Sequence, residues 1–153
     1  MKKILFLLGA ILLISACASV QEAKNFANCK YSIQGVEVSD YNVNSISFDF
    51  YLAITNLNKK QPASIKKFEG KVWMNDVFVA DMKAENVRID AGATKIQKAT
   101  INVPMKNFNA KLVGLVSMGS ASVDYKIEGT AYFDTPLGEV PVPVAMGRRG
   151  SNN

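Results

Sequence analysis

The stretch SISFDFYLAITNLN, residues 45–58, decides the fold because its apolar residues occupy every second position. Such alternation places successive side chains on opposite faces of an extended chain, whereas a helix would repeat its apolar residues every three or four positions. The stretch therefore predicts a β-strand with one buried face and one mostly wet face. The apolar positions are Ile46, Phe48, Phe50, Leu52 and Ile54.

Six further segments have the composition or the alternation of strands. Gly35 predicts a bulge in the first of them, and Asn75-Asp76 predicts a short hairpin turn between two others. Pro141 and Pro143 lack the N–H group that a sheet ladder needs, so the last segment predicts an edge strand. The six segments are residues 29–38, 65–74, 77–85, 94–103, 122–135 and 139–146.

Two local features complete the prediction of the fold. In the segment 94–103, Ile96 is out of phase with the apolar residues that follow it, which predicts a bulge or a change in the buried face. Residues 108–118 form the one helical candidate, whose apolar face would cover one end of the domain. Seven strands with one short helix indicate an all-β fold, an antiparallel two-sheet β-sandwich of the fibronectin type III or immunoglobulin kind. The apolar positions of the helix are Phe108, Leu112, Leu115 and Val116.

The first residues of the chain are interpreted as a targeting segment. Two lysines precede an apolar run over residues 4–14, which has the length of a signal peptide and is short for a bilayer span. The run ends in Leu13-Ile14-Ser15-Ala16-Cys17, which resembles a bacterial lipobox. We therefore expect a signal peptide over 1–16, lipidation of Cys17 by up to three acyl chains, a tether over 17–28, the domain over 29–147 and a disordered tail over 148–153. Resemblance to the lipoproteins of Gram-negative bacteria implies that Ala18 and Ser19, which follow the cysteine in place of an aspartate, direct the protein to the periplasmic face of the outer membrane.

Charge and composition exclude several classes of function. Taking the two lysines of the signal peptide from the 18 basic residues leaves 16 against 13 acidic residues, too mild a charge to predict nucleic-acid binding. The chain has no histidine, so a serine triad or a histidine metal site is excluded. No phosphate-binding loop occurs. The sequence therefore predicts no catalytic residues, no metal and no cofactor.

Cys29 has three interpretations. If Cys17 carries lipid, Cys29 has no partner for a disulfide within the chain. It is then either a small buried apolar residue on the first strand or half of a disulfide between two molecules. A catalytic thiol is the least favoured interpretation, because no histidine is present to activate it.

Two groups of surface residues are candidates for contacts. One is a lysine group, which is either a solvated region that protects a sheet edge or a contact with anionic lipid head groups beside the anchor. The other is Tyr51 with Trp73, which have the parity of the polar positions and form either an ordinary cross-strand pair or an exposed aromatic patch. The lysine group consists of Lys59, Lys60, Lys66, Lys67 and Lys71.

Several short motifs follow one another over residues 36–147. They are Asn56-Leu57-Asn58, Pro62-Ala63-Ser64-Ile65, Asn75-Asp76, Val79-Ala80, Ile89-Asp90-Ala91-Gly92, Val103-Pro104-Met105, Gly129-Thr130-Ala131 and Val142-Pro143-Val144. Their order and spacing resemble the group-two late embryogenesis abundant family, also called the water stress and hypersensitive response (WHy) domain. Two positions differ from the family pattern, since Leu57 stands where the family usually has proline and Asp76 stands where it usually has glycine.

The resemblance implies a fibronectin-like sandwich without catalytic residues, linked to desiccation, freezing and other stress. With the lipobox, it leads us to expect a membrane-anchored protective protein that shields envelope proteins or the membrane itself. The alternative is an adaptor or subunit of a cell-envelope complex that binds a protein partner through a sandwich edge.

Overall fold

The structure is a computed structural model that describes residues 27–117, 119 and 122–150. The predicted signal peptide, Cys17 and most of the predicted tether lie outside the described residues, as do Met118 and residues 151–153. Within them the chain forms seven strands, a 3-10 turn at Met105–Asn107 and an α-helix. The elements are β1 (Cys29–Tyr41), β2 (Ser45–Asn56), β3 (Ala63–Met74), β4 (Val77–Ile89), β5 (Thr94–Pro104), α1 (Ala110–Ser117), β6 (Tyr125–Thr135) and β7 (Gly138–Arg148).

The strands form two antiparallel sheets, which confirms the predicted β-sandwich. One sheet has the order β1-β2-β5, and the other has the order β4-β3-β6-β7. The stretch that decides the fold is the central strand of the smaller sheet. Its alternation gives the expected burial, because Phe48, Phe50, Leu52 and Ile54 are all buried between the sheets.

The core fills the space between the two inner faces. The rings of Phe50 from β2 and Tyr125 from β6 meet edge to face, with centroids 5.5 Å apart. Beside them Gly129 of β6 lies opposite Gly70 of β3. A Cβ atom on Gly129 would lie 2.3 Å from the backbone oxygen of Glu69, so the two strands approach too closely for any side chain at this position.

The turns and bulges agree with the sequence at two places and differ at a third. Asn75 and Asp76 both have positive φ, as a two-residue hairpin turn requires, and the β1–β2 register shifts between Ile33 and Gly35. The predicted bulge near Ile96 is wrong, because β5 pairs with β2 in unbroken register. Ile96 instead lies on the outer face of the sheet, where it is exposed.

The helix begins later than the sequence predicts. Asn109 caps it, since its Oδ1 accepts a hydrogen bond from the backbone N–H of Leu112 at 2.8 Å. Phe108 therefore precedes the helix and stacks on Phe48 of β2, with ring centroids 6.4 Å apart. Leu112 is fully buried in the core, which confirms that the apolar face of α1 covers one end of the sandwich.

The last strand runs at the edge of the larger sheet, as its two prolines predict. It continues through Arg148, one residue beyond the predicted domain boundary. The backbone N–H of Gly150 then donates to Asp124 Oδ1 at 2.7 Å. Residues 148–150 therefore contact the domain, although the sequence predicts a disordered tail there.

The loops divide into two ends of the sandwich. The proximal end is where β1 begins, and it consists of residues 57–62, 90–93 and 136–137. Backbone hydrogen bonds tie it together, because Leu57 N donates to Asn28 O and Gly92 N donates to Asn58 O, each at 2.9 Å. The far end carries residues 42–44, the hairpin turn at 75–76 and the helix.

Candidate functional surfaces

Two features of the described residues bear on metal binding and on thiol chemistry. No group of three or more histidine, cysteine, aspartate or glutamate side chains converges there on a metal site. Cys29 is half-buried against the core, and this burial raises the pKa of its thiol to about 11. The thiol is then almost entirely protonated at neutral pH and a poor nucleophile, which favours its interpretation as a small apolar residue.

The outer face of the larger sheet carries a ladder of cations, carboxylates and aromatic rings. Lys67 Nζ lies 4.3 Å from the centre of the Tyr132 ring and 3.5 Å from Glu69 Oε2. In the same way, Lys126 Nζ lies 4.8 Å from the centre of the Trp73 ring. These two cations therefore already have partners on their own sheet.

The aromatic partner of Trp73 is Phe78, which the sequence analysis did not single out. Their ring centroids lie 6.3 Å apart with an interplanar angle of 72°. The sequence of the hairpin could have identified Phe78, because a two-residue turn at Asn75-Asp76 places Trp73 directly opposite Phe78. Phe78 is exposed and Trp73 is half-buried, so the pair forms a small aromatic surface near the far end.

Tyr51 does not belong to this surface, and the predicted pairing of Tyr51 with Trp73 is wrong. Tyr51 is on β2 of the smaller sheet, and Trp73 is on β3 of the larger one, so their outer faces point in opposite directions. The Tyr51 hydroxyl donates to Glu37 Oε2 at 3.1 Å, and this bond raises the pKa of the tyrosine. Period-two alternation distinguishes an inner from an outer position, but it does not say which sheet a strand joins.

Asp49 is a buried carboxylate on the outer face of the smaller sheet. Lys98 Nζ lies 2.6 Å from its Oδ2, and the Thr100 hydroxyl donates to its Oδ1 at 2.6 Å. The hydrogen bond from Lys98, followed by that from Thr100, holds the pKa of Asp49 below its usual range. The three residues join β2 to β5, which indicates a structural role.

The predicted lysine group does not form one cluster. Lys59 and Lys60 are exposed on the loop of the proximal end. Lys66 Nζ lies 3.2 Å from Glu139 Oε2, and Lys67 and Lys71 are on the outer face of the larger sheet. In the middle of that face Lys71 stands between Asp81 and Glu128 on the neighbouring strands. These lysines are close in sequence, but β3 and its bulge place them on different surfaces.

The proximal loop is held in place by a buried asparagine. Asn56 is only 1% exposed, and its Nδ2 donates to Gln61 O at 2.8 Å and to Asp90 O at 3.2 Å. Its Oδ1 accepts from Asn58 N at 3.0 Å. The first asparagine of the Asn56-Leu57-Asn58 motif thus connects two loops of the proximal end through three hydrogen bonds.

The far end has a shallow groove of about 420 Å³ beside the helix. Its walls are largely apolar, and Tyr41 at the end of β1 is 78% exposed. The residues around the groove are Val38, Tyr41, Asn42, Ile46, Met105, Val116 and Ser117.

Among the described residues no helix is long and apolar enough to cross a membrane.

Comparisons with known proteins place the chain among late embryogenesis abundant proteins. The model of the family described as Late embryogenesis abundant protein (LEA_2) matches residues 51–147. No curated protein sequence matches the chain.

Two solved structures have a similar fold at low sequence identity. A protein of Arabidopsis thaliana is 17% identical with a TM-score of 0.58, over 77% of this chain and 78% of that one. A putative late embryogenesis abundant (LEA) protein is 13% identical with a TM-score of 0.52, over 93% of this chain and 81% of that one.

Proposed function

The chain belongs to the LEA_2 family of late embryogenesis abundant proteins, and from this premise we propose that it is a non-enzymatic, membrane-anchored protein that protects its surroundings during water loss. The observation that carries the proposal is the family match, which begins within β2, continues into β7 and so includes strands of both sheets. Family membership suggests a stress-related role without catalysis. We further propose that the protein acts as WHy domains do, by protection, and that it is located in a bacterial envelope.

The arrangement of surface charges is compatible with a shielding role. Lys67, Lys126 and Lys98 each have a carboxylate or an aromatic ring of the same sheet beside them. To bind another molecule through these lysines, the domain would first lose these contacts, each of which contributes a modest stabilisation. Such a domain would separate neighbouring proteins as water is removed without forming lasting complexes with them.

The membrane part of the proposal rests on the N-terminal sequence. Lipidation at Cys17 by two or three acyl chains would give stable attachment, whereas one chain binds a bilayer only marginally. The outer membrane, on its periplasmic face, is the proposed location. The clients would be envelope proteins or the membrane surface itself.

A drying assay tests the protective part of the proposal. A labile enzyme is dried and rehydrated with the protein carrying Cys17→Ser and lacking residues 1–16, and its recovered activity is measured. An unrelated β-sandwich of similar size and charge, added at equal mass, is the control. Recovery clearly above the control is the expected result, and recovery equal to the control would contradict protection.

A second candidate function is an adaptor in a cell-envelope complex. The apolar groove at the far end favours it, because the groove adjoins the last residues of the edge strand β1, where Val38 and Tyr41 are exposed. Crosslinking in intact cells tests this candidate. A single stoichiometric partner, lost on Tyr41→Glu and retained on Tyr132→Glu, would favour the adaptor over the protective role.

A further inference from the structure

We infer that the proximal end of the sandwich is a docking surface for an anionic phospholipid bilayer, which holds the anchored domain in one orientation. This inference rests on the proposed lipid anchor and specifies how the domain would stand on the membrane. It is carried by the composition of the proximal loops, their distance from Cys17 along the chain and the separation of the two ends of the sandwich.

The proximal loops combine exposed apolar residues with cations. Leu57 is 51% exposed and Leu137 is 58% exposed, and each is on a loop of this end. The same loops carry Lys59 and Lys60 against a single acidic residue, Asp90. Apolar side chains beside lysines suit the boundary between lipid head groups and acyl chains.

Within the described part of the chain, these two lysines differ from the other lysines of the predicted group, of which two have a carboxylate partner and the third, Lys71, has its Nζ 5.8 Å from the centre of the Phe78 ring. Neither Lys59 nor Lys60 lies within 4.0 Å of a carboxylate there, whereas Lys66 pairs with Glu139 and Lys67 pairs with Glu69. The stem of Lys59 packs beside Gly92, where a Cβ atom would meet its Cγ at 3.6 Å. The ammonium groups of the loop are therefore available for an external anion.

The geometry of the chain favours contact by this end. Ten residues lead from Cys17 to Ala27, a span of about 35 Å at full extension. Asn28, the next residue, bonds directly to the loop through Leu57 N. The twelve-residue strand β2 separates the two ends by about 40 Å, so the tether is too short for the domain to stand on its far end with the proximal end directed away from the membrane.

The anchor also makes a weak contact sufficient. A tethered surface binds at a high effective concentration, so two lysines and two leucines can hold an orientation that they would not produce from solution. Each lysine near an anionic surface contributes roughly a fivefold preference for the docked state, or about 25-fold for the two. Salt screens this contribution, so added salt should weaken docking and leave the anchor in place.

The test uses the lipidated protein in vesicles of phosphatidylcholine with phosphatidylglycerol, and in vesicles of phosphatidylcholine alone. A fluorophore is attached at Ala91→Cys on the proximal loop 90–93 or, as the matched position at the far end, at Val43→Cys, both in a Cys29→Ser background. Ala91 is exposed and Val43 is 91% exposed, so both labels start in water. A quencher carried by the lipid then reports which end contacts the bilayer.

We expect quenching at position 91 and none at position 43 in the anionic vesicles. Lys59→Gln with Lys60→Gln should lower the ratio of docked to undocked protein by about 25-fold. Lys67→Gln with Lys71→Gln removes the same charge from the outer face and should leave the ratio unchanged. Equal quenching at both positions, stronger quenching at 43, or equal loss in both double variants would overturn the inference.

Flotation of the same samples separates this inference from the anchor. If the protein floats with vesicles, and Cys17→Ser abolishes flotation, the anchor stands and the quenching pattern alone decides the docking surface. If the protein does not float, or if Cys17→Ser floats equally well, the anchor and the docking surface both fail. The drying assay above measures the protective role independently of either result.

Discussion

Replacing Asn56 by alanine is expected to lower the free energy of unfolding by about 3 kcal/mol. The side chain is buried and makes three hydrogen bonds, two from Nδ2 to Gln61 O and Asp90 O and one to Oδ1 from Asn58 N. Alanine removes all three partners, and each buried group left unsatisfied costs about 1 kcal/mol. With a urea m-value of about 1.5 kcal/mol/M, the midpoint of unfolding should fall by about 2 M.

Asn102→Ala is the matched control for this prediction. Asn102 is also on a strand, and its Nδ2 also donates two hydrogen bonds, to Ser45 Oγ at 3.2 Å and Ser47 Oγ at 3.1 Å. Both hydrogen bonds are exposed to solvent, so water replaces them when they are lost and the cost should stay below about 1 kcal/mol. Urea titrations followed by circular dichroism measure both variants. Equal midpoints for the two would refute the argument that burial makes Asn56 critical.

Three further predictions test other contacts of the domain. Gly129→Ala should destabilise the protein by about 2 kcal/mol, because the new Cβ atom would collide with the backbone of β3. Gly114 is on the helix with open space around it, so Gly114→Ala should stabilise the protein by about 1 kcal/mol. Thermal unfolding compares the two variants. Because the pKa of Asp49 is lowered in the folded state, its contribution is present above the unfolded value near 3.8 and is lost as pH falls through the folded one. Lys98→Met should therefore flatten the acid limb of a plot of melting temperature against pH, and an unchanged limb would contradict the pairing. In the Cys17→Ser protein, Cys29 should react with a thiol reagent at pH 8 about a hundredfold more slowly than an ordinary cysteine, because a pKa near 11 leaves little thiolate. A reaction rate equal to that of glutathione would contradict the burial of the Cys29 thiol.

Much of the fold follows from local patterns. The alternation of Phe48, Phe50 and Leu52 predicts a strand and its buried face, because successive side chains of an extended chain must point to opposite sides. Asn75-Asp76 predicts a two-residue turn, since asparagine and aspartate tolerate the positive φ that such a turn needs. These features depend only on neighbouring residues, so the sequence is enough to identify them.

The candidate surfaces depend on contacts that no local pattern contains. The lysine group was predicted as a single cluster because its members are close in sequence, but a bulge between Ile65 and Lys67 and the pleat of β3 send them to separate surfaces. Ile96 breaks the alternation of β5 without a bulge, because one exposed apolar residue costs less than a broken ladder of hydrogen bonds with β2.

By itself, the sequence determined the seven strands, the helix over one end and the edge position of β7, because each depends on the spacing of neighbouring residues. Only the tertiary structure decided that Tyr51 and Trp73 face opposite directions, that Asn56 is buried and that Lys59 and Lys60 lie beside the start of the domain. The physical reason is distance along the chain. Asn56 meets Asp90, 34 residues away, and such contacts exist only after two sheets have packed together.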